Sequence, residues 1–165
     1  MLVLDHALRD AALRGLALAG YRGYPLTAAA ANAALARLAE TDPEAGLLGR
    51  IYQLFDVRPA AYWPDDIPVA AAVDPATLHA AIRVCQPVAF GYTALEGNET
   101  ARTVLPLALV HPPQGEKLLA WYAAREDFRQ FFVRSMQGPM PQPGDFSNDR
   151  MALLKWLLDK YSGQA

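Results

Sequence analysis

An α+β fold follows from three observations. Apolar positions recur at helical spacing over the first 58 residues, alternate at strand spacing between Val88 and Met136, and return to helical spacing after Ser147. The predicted order is a helical module (1–58), a linker (59–74), a small, strongly curled antiparallel β-barrel (75–137), and a second linker with a C-terminal helix (138–165).

Leu8, Ala12, Leu16 and Ala19 line one stripe of a helix over residues 5–20, which Gly20 and Gly23 can end. Thr27 is the expected N-cap of an alanine-rich helix running from Ala28 to Glu40. Asp42-Pro43 opens a third helix, with aspartate as the cap and proline in the first turn, where its missing N–H costs nothing. Pro59, Pro64, Pro68 and Pro75 then interrupt any period, and Tyr62 and Trp63 are expected to pin this linker to one of the domains. Asp74-Pro75 starts a short helix, Ala76–Val84, with Leu78 and Ile82 inward.

Val88, Phe90 and Tyr92 share one face of the first strand. Turns at Glu96-Gly97-Asn98, 111–115 and 125–127 separate it from strands over Thr100–Val110, Leu118–Tyr122 and Phe128–Met136. Large apolar side chains on both faces of the second and fourth strands predict a curled sheet partly covered by helices. Residues 137–146 read as a Gly/Pro linker. Ser147 is the expected cap of a last helix whose Leu153, Leu154, Leu157, Leu158 and Tyr161 must dock on this chain or a partner.

Composition narrows the function. With 53% apolar and 19% charged residues, the chain can build a packed core. Its formal charge of −2 argues against a uniformly basic DNA-coating protein, while leaving room for a local basic patch. Cys85 is the only cysteine, which excludes an intrachain disulfide and a cysteine-based metal cage; its helix-end position suits a small packed hydrophobe. No run of eighteen apolar residues occurs, so no membrane span is expected and a cytoplasmic location is. His6, His79 and His111 lie in separate segments without metal-ligand spacing, and Asp65-Asp66 reads as a solvated pair. Without a Gly-rich phosphate loop, nucleophile elbow or paired-carboxylate motif, neither catalysis nor a cofactor is expected.

Four motifs occur in order over about sixty residues. Ala80-Ala81-Ile82-Arg83 leads to a strand with Phe90-Gly91-Tyr92, and Arg102, Val104, Pro106 and Leu107 form an R-x-V-x-P-L element. Leu119-Ala120-Trp121-Tyr122 follows, then Asp127-Phe128-Arg129-Gln130-Phe131. This stretch resembles the WYL domain, a ligand-sensing domain of bacterial regulators. The resemblance implies an SH3/Sm-like barrel, a role in bacterial transcriptional regulation, and a nucleotide or single-stranded nucleic acid as ligand. Two positions depart from the family pattern. Lys117 stands where the family has the tyrosine of its name, and the closing arginine lies one place early, at Arg134 before Ser135-Met136. In a strand, that shift turns a side chain to the opposite face.

The candidate ligand residues are therefore Tyr92, Arg102, Lys117, Tyr122, Arg129 and Arg134. The Arg102 and Arg129 guanidiniums suit phosphate, with ion pairs to Glu99, Glu126 or Asp127 as the competing reading. Tyr92 and Tyr122 would stack a base or else belong to the core, and Lys117 would add a point charge or simply be solvated. Trp121, Trp63 and Trp156 read as packing residues, the first against a helix. Family regulators carry an N-terminal DNA reader, for which this chain offers Thr27, Asn32 and Arg37 among many alanines. The helices read better as a packing or dimerisation module. Two rival functions stay open: an interaction module with a degenerate ligand site, forming a homodimer or engaging a partner through the terminal helices, and a repressor binding duplex DNA.

Overall fold

Pro25, not Thr27, begins the second helix of the computed structural model, which describes residues 5–22, 24–57, 75–93 and 99–163. Proline at this position has its φ already set for a helix, so the helix starts three residues before the expected one and Tyr24 occupies the cap position without a side-chain bond. The chain divides into two units, Met1–Ala60 with Leu154–Ala165, and Ala61–Leu153.

The first unit holds α1 (His6–Arg22), α2 (Pro25–Thr41) and α3 (Pro43–Tyr52), the last running into a π-helical turn at Gln53–Val57. Leu13, Ala17, Ala31, Ala45, Leu48, Ile51 and Tyr52 form its buried side. Alanine-rich α2 permits a close approach: a Cβ on Gly46 would stand 2.5 Å from the Ala39 Cβ. Asp42 caps α3 as expected, accepting from the Ala45 N–H at 3.1 Å, and its carboxylate also takes three bonds from the Arg9 guanidinium. Tyr52 donates to Asp10, and Arg14 lies over the Tyr52 ring while pairing with Asp10 and Asp56. Burial, before any charge, raises the Tyr52 pKa.

The second unit comprises α4 (Ala76–Val84) and strands β1 (Val88–Thr93), β2 (Glu99–Val110), β3 (Lys117–Tyr122), β4 (Asp127–Phe132) and β5 (Met136–Pro141), and it includes the start of α5 (Arg150–Ser162). All ladders are antiparallel, in the order β4-β3-β2-β1-β5. Among the described residues, strands β4 and β5 are thus edges that no ladder joins. The sheet is open, and the closed, strongly curled barrel expected from the sequence is corrected accordingly.

The apolar run of β2 has another cause. Its first half pairs with β1 and its second with β3, and between Pro106 and Ala108 the register against β3 slips by one residue. Leu107 is the extra residue of a bulge, which moves the core face from even positions (Val104) to odd ones (Leu109). An unbroken apolar stretch results without a barrel. The Leu107 carbonyl accepts from the buried Arg150 guanidinium at 3.0 Å.

The expected fourth strand also stops early. A 3-10 turn at Val133–Ser135 interrupts it, and Met136–Pro141 goes on in the same sense to pair with β1, where a linker was expected. Proline and glycine suggested a linker because they weaken central strands, but β5 is an edge, where missing N–H groups are tolerated. Gly138, at φ 53, sits where its register against β1 is irregular. The chain then stays tethered, with Phe146 donating to the Cys85 carbonyl. Cys85 is buried, and adopts a left-handed conformation that closes α4. Helix α5 begins at Arg150, so Ser147 lies before it and does not cap it; Ser147 N–H instead donates to Asp145.

Residues 59–74, with the expected linker, Tyr62, Trp63 and Asp65-Asp66, lie outside the described residues, as do Asp74 and the turn at 94–98. Among the described residues no helix is long and apolar enough to cross a membrane.

Candidate functional site

Directly opposed residues of a ladder share a face, so the register decides which side chains meet. Phe90 stands opposite Arg102, Leu118 opposite Phe131, and Ala120 opposite Arg129. Phe90, Leu118, Ala120 and Phe131 belong to the core beneath α4, with Leu78, Ala81, Val88 and Val104. Arg102 and Arg129 therefore lie on the core face, where that core gives way to solvent.

An open cleft of about 420 Å³ lies there, lined by Tyr92, Arg102, Arg125, Arg129, Gln130 and Phe131. Its floor is aromatic. The Phe131 ring meets Phe90, Tyr92 and Tyr122 edge-on at 5.2, 5.1 and 6.5 Å. The Tyr92 hydroxyl accepts the Phe132 N–H at 3.2 Å, which holds this ring at the cleft rim. Tyr122 lies beside the cleft, with the Arg102 guanidinium 5.4 Å from its ring centre.

The rim is cationic. Arg102 donates to the Thr100 hydroxyl at 2.9 Å, and among the described residues Arg102, Arg125 and Arg129 form no ion pair. Asp127, a partner considered for them, accepts the Phe128 N–H instead. Three guanidiniums without carboxylate partners over aromatic rings can hold an anion and a flat apolar group together.

Lys117 and Arg134 lie elsewhere. Lys117 opposes Phe132, one position from the Leu118–Phe131 pair and so on the other face of the sheet. Both cations pack on the Phe132 ring, at 4.9 and 4.0 Å from its centre, with Arg134 donating to the Gln114 carbonyl and Lys117 to the Gln130 side chain. Desolvation first, and then the Arg134 charge, lowers the Lys117 pKa.

Of the six candidates, the structure gathers Tyr92, Arg102, Tyr122 and Arg129 on one face and places Lys117 and Arg134 on the other. Arg125 and Gln130 were missed in the sequence. Arg125 ends the 3-10 turn between β3 and β4, before left-handed Glu126. Its only sequence signal is its place in the hairpin joining the strands of Tyr122 and Arg129. Trp121, expected to pack against a helix, meets Phe128 of the neighbouring strand edge-on at 4.9 Å. Trp156, expected to pack, is 57% exposed. Asn32 is engaged within the helical unit, donating to the Gly20 carbonyl and accepting from Gln53. Among the described residues no group of three His, Cys, Asp or Glu side chains is placed to hold a metal.

Residues 75–140, about two-fifths of the chain, match the family model of the WYL domain, in agreement with the resemblance of the motifs. No curated protein matches the chain. Similar solved structures include the proteasome accessory factor B/C (PafBC) of Arthrobacter aurescens, at 21% identity and a TM-score of 0.46. That alignment covers 90% of this chain and 22% of the other, so the chain spans about a fifth of that protein's length.

Proposed function

From a chain whose residues 75–140 match the WYL domain, we propose a noncatalytic sensing protein of bacterial regulation. It binds a nucleotide or short single strand in the arginine cleft. One observation carries this reading: Arg102, Arg125 and Arg129, without carboxylate partners among the described residues, converge on a cleft floored by Phe131 and Tyr92. Phosphates bind the guanidiniums in this account, and a base stacks on an aromatic ring, an interaction worth about 1–3 kcal/mol per base. A ligand acts as a signal when it favours one of two states of the regulator by differential contacts.

Fluorescence anisotropy of a labelled single-stranded oligonucleotide, titrated at several salt concentrations, tests the reading. Neutralising about three phosphates gives a log–log salt slope of about −2. The Arg102→Ala/Arg129→Ala double variant is expected to stay folded and lose this binding. Salt-independent affinity, or an unchanged affinity of the folded double variant, contradicts the reading.

The helical unit favours a second reading, an interaction module. Tyr24 and Leu26 are 85% and 86% exposed, and Leu8 and Leu18 are about half exposed. Light scattering that finds a stable dimer indifferent to nucleic acid favours that reading. Duplex binding through the helices draws less support, because Asn32 is tied to Gly20 and Gln53.

A further inference from the structure

The outer edge of β4 presents its backbone to the cleft, and most of it is already capped. In an antiparallel ladder, alternate residues turn their N–H groups toward and away from the neighbouring strand. Val133 N–H bonds the Glu116 carbonyl, toward β3, so the N–H groups of Phe128, Gln130 and Phe132 point away from β3. Two of those three are occupied: Phe128 N–H by the Asp127 carboxylate at 2.8 Å, and Phe132 N–H by the Tyr92 hydroxyl. Gln130 N–H remains. The Gln130 side chain is bonded to Lys117 on the other face, yet Gln130 lines the cleft. Its contribution there is therefore the main chain.

One open donor is too few for an added strand, which needs a run of backbone partners. It does suit a single oxyanion. The Asp127 carboxylate at the end of this edge opposes a polyanionic chain continuing along it. Three guanidiniums also exceed what one internal phosphodiester, with a single negative charge, can neutralise, whereas a terminal phosphate monoester carries about −1.5 to −2 at neutral pH. The cleft volume of about 420 Å³ falls toward the small end of ligand pockets.

We propose that the cleft reads a terminal phosphate monoester, on a strand end or a mononucleotide, held by Arg102, Arg125 and Arg129 with Gln130 N–H as the backbone donor. This rests on the nucleotide-binding reading above and narrows its ligand class from any single strand to a phosphorylated end.

Calorimetric titration of the full chain with one DNA octamer in three forms, 5′-phosphorylated, 3′-phosphorylated and hydroxyl-ended, tests it. One phosphorylated form is expected to bind about tenfold or more tightly than the hydroxyl-ended form, as charge-assisted hydrogen bonds to the added phosphate imply. Arg125→Ala is expected to erase most of that margin. So is Gln130→Pro, which removes an outward N–H without cutting a ladder bond. Should that variant fail to fold, the Gln130 amide resonance of the wild type is the second readout, moving with the phosphorylated octamer and not with the hydroxyl-ended one. Equal, salt-sensitive binding of all three octamers overturns the end-reading proposal and leaves nucleic-acid binding standing. Absence of binding by the octamers and by a nucleoside monophosphate overturns both.

Discussion

Phe131 is the side chain on which the core and the cleft both depend. Its ring touches Phe90 below and Tyr92 and Tyr122 at the rim, and it is almost wholly buried. Phe131→Ala is expected to cost about 3–5 kcal/mol, seen as a lower urea midpoint, because no neighbour can fill the space of a ring. Arg129→Ala should behave oppositely. The guanidinium is exposed and unpaired among the described residues, so stability is expected to change by less than about 0.5 kcal/mol while oligonucleotide affinity falls. Lys117 separates the two faces by its pH response. Its pKa is lowered in the folded chain, so just below the ordinary lysine range the unfolded chain binds the proton more tightly and stability rises with pH. At neutral pH both states are protonated and the penalty is constant; above the ordinary lysine pKa both are neutral and it is gone. Lys117→Met is expected to remove this alkaline gain, measured by urea midpoints at neutral and alkaline pH, and to leave cleft binding intact.

Elements were legible where one period ran without interruption. The three N-terminal helices, α4, β1 and β3 follow their apolar spacing, and Asp42 was recognisable as a cap because Pro43 follows it. Asp42→Ala is expected to destabilise the helical unit by about 1–2 kcal/mol, since the cap to Ala45 and the bonds from Arg9 go together; thermal circular dichroism measures it. The bulge in β2 was not legible. A run of Leu105-Pro106-Leu107-Ala108-Leu109-Val110 is apolar at every position, so no alternation reveals the extra residue, and curling was the natural alternative. Deleting Leu107 is expected to leave a regular ladder, because Pro106 and Ala108 already pair with the successive residues Ala120 and Leu119; Leu109 keeps the core face, and the sheet unit loses the packing of one buried leucine but still unfolds cooperatively. If the deletion instead abolishes cooperative unfolding, as the loss of one residue from a regular strand would by turning Leu109 and Val110 to the wrong faces, the bulge assignment is wrong. Strand β5 escaped notice because Pro139, Pro141 and Gly138 carry the signature of a linker, and only pairing at a sheet edge makes them a strand.

The molecule as a whole is slightly acidic, with a formal charge of −2, and its three cleft arginines are a local exception to that balance. Much of the cleft could be read from the sequence because strand alternation fixes faces once a register is given: Tyr92, Arg102, Tyr122 and Arg129 fall together, and the one-residue offset of Arg134 put it in doubt. Arg125 could not be read, since an arginine in a turn has an ordinary explanation in solvent. Nor could Gln130, because its part is a backbone N–H that any residue but proline carries. The central claim, that ligand binds where the core face opens, is most directly tested by amide chemical-shift mapping of the labelled protein with a phosphorylated single-stranded octamer. Shifts at Tyr92, Arg102, Arg125, Arg129 and Gln130, with Arg134 and the helical unit unmoved, are the expected result. Shifts gathered instead around Phe132 and Arg134 on the opposite face, or on α1 and α2, contradict the account.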